Sequence, residues 1–348
     1  MAQIIQPERA QRSAGPGLSY WLGSKFFQQP LLMEQSAATS LLAAIREKAF
    51  DPAMSVQPLA SKYAGTRAGQ NGYRVTDDGI AIVPVSGFLV DRGEWLGDLN
   101  GFMTSYEGLA EQCRRLGKDE SIKAVLLDVD SGGGMAAGML DAAAAVATLR
   151  SKKRVFALAA NFAASAAYGL ACTADELFLT RTGGVGSIGT IITHTSYQRM
   201  LDEMGVDVTL IQSGRHKTDG NPYQQLSHGA RVEFAAMGEQ INDQFVGHVA
   251  RERDITDDAV RALEARMFWG DKALGAKLAD GVKTFDEVLE HIRAAAAKGG
   301  RPRGQSNKSS TASASRPDPN TGESGMTGQN DSGSAPDLTT IKIGRAHV

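Results

Sequence analysis

The sequence predicts an α/β protein assembled from βαβ units around a largely parallel sheet, followed by a disordered C-terminal tail. Three observations carry this. Apolar runs of strand length recur at residues 80–85, 123–129 and 154–160. Helix-like segments at 105–116, 135–150 and 163–171 alternate with them. The chain is 42% hydrophobic and 22% charged, enough apolar surface for a sizeable core.

Taken in order, residues 1–75 form an N-terminal region, partly helical. Within it, 40–50 has the pattern of a short amphipathic helix, and 64–73 reads as a polar, glycine-containing connector. The main domain spans 76–297. Beyond the three strand–helix pairs it holds expected strands at 176–180, 187–193 and 206–212 and a long helix over 231–253. Residues 298–342 are Gly, Ser, Thr, Pro, Asn and Asp with few large apolar side chains. Such a stretch cannot bury enough surface to offset its ordering entropy and is expected to be a disordered linker. Residues 343–348, Ile-Gly-Arg-Ala-His-Val, resemble a translated sequencing-adapter read, so they are expected to be an artefact. Met326 is a candidate internal start.

A net charge of -2 excludes a global basic field for nucleic acid or acidic membranes. Cys113 and Cys172 are the only cysteines, with no CxxC or Cys/His cluster, which argues against a disulfide scaffold or zinc ribbon and for a reducing compartment. No basic region leads into an apolar stretch at the N-terminus, and no apolar window is long enough to cross a bilayer, so a soluble cytoplasmic protein is expected.

Three segments carry chemistry. Asp130-Ser131-Gly132-Gly133-Gly134 lies between an expected strand and an expected helix. Glycines allow a sharp turn there and expose N–H groups able to hold a phosphate or a developing oxyanion. Alone, it is equally a plain βα turn. Ser165 sits among small residues, Ala163-Ala164-Ser165-Ala166-Ala167, at the start of a helix. Small neighbours leave room for a substrate backbone beside the hydroxyl, and the Ala166 N–H would join the glycine donors. Alone, the serine reads as one that caps or packs within a helix. Ser213-Gly214-Arg215-His216-Lys217-Thr218-Asp219 is a polar turn after an expected strand. A serine needs a base to become a nucleophile, and a lysine serves only when neutral, which burial or a nearby positive charge provides. Alone, Lys217 is equally a solvated loop residue.

Together the three resemble the S49 serine peptidases, the signal peptide peptidase A family, which use a Ser-Lys dyad on a crotonase/Clp-protease-like fold. Lys217 follows Ser165 by 52 positions in a Gly-x-x-Lys turn, and Gly186-Ser187-Ile188-Gly189 matches the family's Gly-Ser-Ile-Gly strand. Gly132 departs from the usual proline. Residues 213–223 are most similar to the phage capsid-assembly (prohead) protease branch, with likeness extending over about 79–288. The resemblance implies Ser165 as nucleophile, Lys217 as general base, and Gly133, Gly134 and Ala166 as oxyanion donors. Ser187, Thr218 and Asp219 would orient Lys217. It implies no metal or organic cofactor, substrates among phage scaffold, portal and major capsid proteins, and work in the host cytoplasm inside the prohead. It also implies a homo-oligomer whose subunits complete one another's sites, and reads the tail as the start of a scaffold-like extension.

Four alternatives stay open. Gly184-Val185-Gly186-Ser187-Ile188-Gly189 fits G-x-G-x-x-G, but the residues after it are β-branched rather than helical in character, against a dinucleotide site. His194 or His216 could replace Lys217 as base, as in Clp-type relatives. The chain could be a bacterial-type cytoplasmic S49 peptidase. It could instead be an inactive capsid-assembly scaffold of the same fold; acyl-CoA chemistry would call for a carboxylate base that does not stand out.

Overall fold

The computed structural model describes residues 30–35, 37, 66–68, 72–92 and 103–297. The expected helix at 40–50 and the expected linker and terminal hexapeptide beyond 297 lie outside them. One mixed sheet organises the chain. Its strands are β1 (Leu31–Met33), β2 (Thr66–Ala68), β3 (Arg74–Thr76), β4 (Ile80–Val90), β5 (Met103–Ser105), β6 (Ala124–Met135), β7 (Arg154–Ala164), β8 (Glu176–Leu179), β9 (Gly184–Gly186), β10 (Met267–Trp269) and β11 (Gly281–Val282). The helices are α1 (Tyr106–Leu116), α2 (Met139–Arg150), α3 (Ala166–Ala171), α4 (Gln198–Glu203), α5 (His228–Arg253), α6 (Asp257–Arg261), α7 (Gly270–Gly275) and α8 (Phe285–Ala297).

The central strands β4, β6 and β7 run parallel, and β8 and β9 both add in parallel to β7. Alternate residues of each central strand face opposite ways, and both faces are covered. Ile80, Ile82, Leu126, Phe156 and Leu158 pack under α8 through Val288, Leu289 and Ile292. Their neighbours Ala81, Val83, Val125, Leu127 and Val155 join the larger core beneath α1, α2 and α5. Burial on both faces explains why these strands read as continuous apolar runs rather than alternating ones. Helix α1 buries Tyr106, Leu109, Cys113 and Leu116 at helical spacing, and the Ser105 hydroxyl accepts from the Gly108 N–H at its start.

The sheet forks near residue 130. The first half of β7, 156–159, pairs with β8, whereas its end, 162–164, pairs with β9. Strand β6 shifts register against β7 between Val129 and Ser131, and β4 carries an irregularity between Ser86 and Phe88. Strands β6 and β7 stay paired beyond the shift, Ser131 opposite Ala163, so their carboxyl ends lie side by side where β8 gives way to β9.

Several expectations are corrected. The glycine segment 130–134 is not a turn. It is the second half of β6, because Gly133 and Gly134 pair with Phe88 and Leu89 on one side and with Met33 and Leu32 on the other; α2 therefore starts at Met139, not 135. Likewise β7 extends to Ala164, so α3 begins after Ser165. Residues 66–68, read as connector, form a strand antiparallel to β3. Residues 187–193 and 206–212 are not strands. The first has only an isolated bridge at Ile191, and the second projects into solvent with no strand beside it among the described residues, leaving Ile211 95% exposed. No helix among the described residues is long and apolar enough to cross a membrane.

Candidate active site

Ser165 stands between the end of β7 and the start of α3, with φ 53° and ψ −122°. Positive φ is costly for a side chain bearing a Cβ, so neighbouring structure must hold it. It does so through two hydrogen bonds. The Ser165 N–H donates to the Gly186 carbonyl at 2.8 Å, and its carbonyl accepts from the Gly169 N–H at 3.0 Å. A serine on a strained strand-to-helix turn projects its hydroxyl away from the flanking backbone, the arrangement of a nucleophile elbow. Ala163, Ala164, Ala166 and Ala167 are fully buried around it, so larger side chains would not fit. Ser165 itself is 0% exposed, and its Oγ has no hydrogen-bond partner among the described residues.

The glycines lie alongside. A Cβ on Gly134 would sit 1.9 Å from the Leu89 carbonyl oxygen, and one on Gly133, where φ is 102°, would sit 3.1 Å from the Ala164 carbonyl oxygen. Only glycine lets three backbone segments approach this closely. The Gly133 N–H is engaged by the Ser131 hydroxyl oxygen at 3.1 Å, and that hydroxyl donates to the Gly87 carbonyl at 2.6 Å. Gly134 faces β1, in register with Leu32. Ala166 opens α3, so its N–H has no acceptor inside the helix.

Helix α3 is tied down from behind. Tyr168 donates from its buried hydroxyl to the Leu278 carbonyl at 3.0 Å. The Nε2 of buried His248, on α5, lies 2.8 Å from the Gly169 carbonyl, while Arg251 lies 3.0 Å from Nδ1. An Arg donor at Nδ1 places the ring proton on Nε2, and burial first, with Arg251 and Arg150 adding, holds His248 below its ordinary pKa. Burial also pushes the Cys172 thiol up to about 12, so the cysteine nearest α3 carries no thiolate at neutral pH and does not rival Ser165.

Lys217 lies elsewhere. It occupies an exposed turn on an arm that leaves the sheet after β9 and returns at α5. The arm is pinned at its base: Tyr197 N–H donates to the Pro222 carbonyl at 2.7 Å, and His194 Nε2 meets the Asn221 carbonyl at 3.1 Å. Within the turn the Lys217 N–H donates to the Gly214 carbonyl at 3.1 Å, His216 and Asp219 pair at 2.8 Å, and Thr218 donates to Gln212. The protomer thus joins Ser165 to Gly133, Gly134 and Ala166 but leaves Lys217, Thr218 and Asp219 on the arm. Ser187 is near the nucleophile in the chain path: it has φ 54° and donates its N–H to the Arg266 carbonyl at 3.0 Å. Gly186, whose carbonyl anchors Ser165, was visible in the sequence as a member of the Gly-Ser-Ile-Gly match and of the G-x-G-x-x-G pattern, neither of which assigned it this role. The segment Leu31-Leu32-Met33, which packs on the glycines, gave no sign beyond three consecutive apolar residues.

Known proteins share this chain's features. Residues 147–298 match the model of Peptidase family S49. The chain is 34% identical over 278 residues to the Head-tail preconnector protein GP5 of Enterobacteria phage P21, covering 76% of this chain and 55% of that protein. It is 32% identical over 286 residues to the Capsid assembly protease C of Escherichia phage lambda, covering 78% and 65%. A Putative signal peptide peptidase SppA of Enterococcus faecium is 27% identical over 222 residues, covering 62% of each. The chain therefore spans about 55 to 65% of the length of these relatives. Among solved structures, an enoyl-CoA hydratase/carnithine racemase from Magnetospirillum magneticum is similar at 16% identity and a TM-score of 0.39, covering 68% of this chain and 78% of that one.

Proposed function

We propose that this chain, whose residues 147–298 belong to Peptidase family S49, is a serine endopeptidase that cleaves proteins of a phage prohead during its maturation. One observation carries the reading: Ser165 is held at a strained strand-to-helix turn, its hydroxyl unpartnered, beside a glycine segment whose backbone no side chain could replace. Nothing structural is gained from an unpaired buried hydroxyl, which normally costs about 1–3 kcal/mol. A nucleophile awaiting a substrate carbonyl accounts for it.

In this mechanism Ser165 Oγ attacks the scissile carbonyl, and the Gly134 and Ala166 N–H groups receive the oxyanion. Gly133 takes a lesser part, because its N–H is already engaged by Ser131. Lys217 accepts the hydroxyl proton and passes it to the leaving amine, and water then hydrolyses the ester. Since Lys217 lies on an exposed arm, the lysine is supplied by a neighbouring copy. The exposed apolar residues of the same arm, Met200, Met204, Val206, Val208 and Ile211, support such an assembly. Thr218 and Asp219 travel with Lys217 as its orienting groups, and Ser187 would meet it at the site. Likeness to the capsid-assembly relatives supports scaffold, portal and major capsid proteins as substrates.

The test is cleavage of co-expressed scaffold, portal and capsid proteins by wild type, Ser165→Ala and Lys217→Ala. Both variants should be inactive alone, and mixing them should restore activity, because one copy then supplies serine and another lysine. Equal cleavage by Ser165→Ala removes the serine from the mechanism; full activity of Lys217→Ala moves the base to His194 or elsewhere.

A further inference from the structure

Strand β1 is placed as a bound peptide would be. Residues 30–34 run antiparallel to the end of β6, with Leu31, Leu32 and Met33 opposite Met135, Gly134 and Gly133. The Glu34 N–H donates to the Gly132 carbonyl at 2.7 Å, and the Ala136 N–H donates to the Pro30 carbonyl at 3.1 Å. On its other edge Leu31 exchanges two hydrogen bonds of 2.9 Å with Ile191, in the segment that follows β9. An extended chain paired through its backbone on both edges is the binding mode of strand addition. The two walls are those that flank Ser165: the glycine segment, and the continuation of the Gly186 strand that anchors the serine.

The fit extends to particular atoms. The Leu32 carbonyl oxygen lies 2.3 Å from where a Gly133 Cβ would be, and the Ala164 carbonyl, one residue before the serine, lies 3.1 Å from the same point. The Leu32–Met33 peptide is thus packed against the oxyanion glycines at the level of the nucleophile. The Leu32 side chain, 1% exposed, lines a cavity of about 380 Å³ with Met135, Met139, Ile241 and Phe245.

We propose that Pro30–Glu34 is a built-in competitor of the Ser165 site, occupying the slot for an extended substrate between 132–136 and Ile191, so that it must leave before a substrate chain binds. This rests on Ser165 being the nucleophile. A fully buried nucleophile cannot receive an external carbonyl while the slot is filled, and an occupant on the same chain competes at a strength that dilution of the protein does not change. Leu31, Leu32 and Met33 are all buried, so the occupant holds by three apolar side chains as well as its backbone hydrogen bonds, and a substrate must replace both to displace it.

The experiment measures the rate of Ser165 labelling by a fluorophosphonate in the full chain. Glu34→Pro removes the N–H that reaches Gly132, and Leu32→Asp puts a charge into the apolar cavity. Each should label about tenfold faster than wild type, the weight of roughly one hydrogen bond. A synthetic peptide of residues 29–35 should slow both variants again. Wild-type protein covers the case in which a variant misfolds: once a leucine-terminated peptidyl phosphonate is bonded to Ser165, the amides of residues 31 and 34 should exchange with deuterium faster. Equal labelling of folded wild type and Glu34→Pro, or unchanged exchange in the labelled protein, overturns the proposal alone. Labelling that persists in Ser165→Ala overturns the nucleophile and the competitor together.

Discussion

The amide of Ser165 donates to the carbonyl of Gly186 at 2.8 Å, across 21 positions of sequence. This bond fixes the end of β7 against β9 and holds the serine in a backbone conformation it would not adopt alone. The hydroxyl is left unpaired, which sets activity against stability at one residue. Ser165→Ala should therefore abolish hydrolysis and raise stability by about 1 kcal/mol, the lower end of the cost of an unsatisfied buried polar group. Urea unfolding of the two proteins checks it; a less stable alanine variant would show that the hydroxyl has a structural partner.

Gly134→Ala should be severe. Its Cβ would meet the Leu89 carbonyl oxygen at 1.9 Å, and backbone on both sides leaves nothing flexible to yield. A loss of about 3 kcal/mol or more is expected. Gly205→Ala is the control: its φ of 69° is left-handed, unlike that of Gly134, but no atom lies within 4 Å of its added Cβ. There the cost should be that of a left-handed alanine alone, about 1 kcal/mol. Similar losses at both positions would mean that close approach is not what requires Gly134.

Stability should fall in mild acid through His248. Burial depresses its folded pKa below the ordinary 6.5. As pH drops from about 6.5 towards that lower value, the unfolded chain takes up a proton that the folded chain refuses, so unfolding is favoured. The loss is absent above pH 6.5 and complete below the folded value. His248→Gln should weaken the pH dependence of the thermal midpoint over this window, at some cost to the hydrogen bond to Gly169 on α3. An identical slope in the variant would assign the acid sensitivity to other groups.

Asp280 joins β8 to the end of α5. It accepts the Leu177 N–H at 2.7 Å and a two-pronged contact from Arg253, both at 2.9 Å. The Arg253 side chain is only 8% exposed. Asp280→Ala leaves that cation only the Lys277 carbonyl, 2.8 Å away, and should cost about 2 kcal/mol, the weight of a hydrogen bond to a charged group. The double variant Arg253→Met, Asp280→Leu should recover part of the loss, because the charge left without its carboxylate is removed while the Leu177 N–H stays unpaired. A double variant as unstable as Asp280→Ala would place the whole cost on the lost Leu177 contact.

The sequence by itself determined the α/β class and the order of most elements around the core. Residues 80–85, 124–129 and 154–159 could be read because strands buried on both faces are apolar at every position, a local property. Helix α1 could be read from its helical pattern and from Ser105 at its start, and α5 as a long helix, although it begins at His228 rather than 231. The glycine segment, Ser165 and the Gly-x-x-Lys turn were legible as residue types at a spacing.

Tertiary structure decided what those residues do. Whether 130–134 is turn or strand depends on Leu32 and Leu89, which lie about 100 and 45 positions away and provide its two edges. The β-branched run at 206–212 stays out of the sheet because a strand needs a partner, and none lies beside it among the described residues. The φ of Ser165 comes from Gly186 and Gly169, not from serine's own preference. The presence of Leu31–Met33 on the oxyanion glycines is a long-range pairing that no local pattern encodes. In each case backbone hydrogen bonding joins segments that are distant in sequence, and the decisive information lies in the pair rather than in either segment.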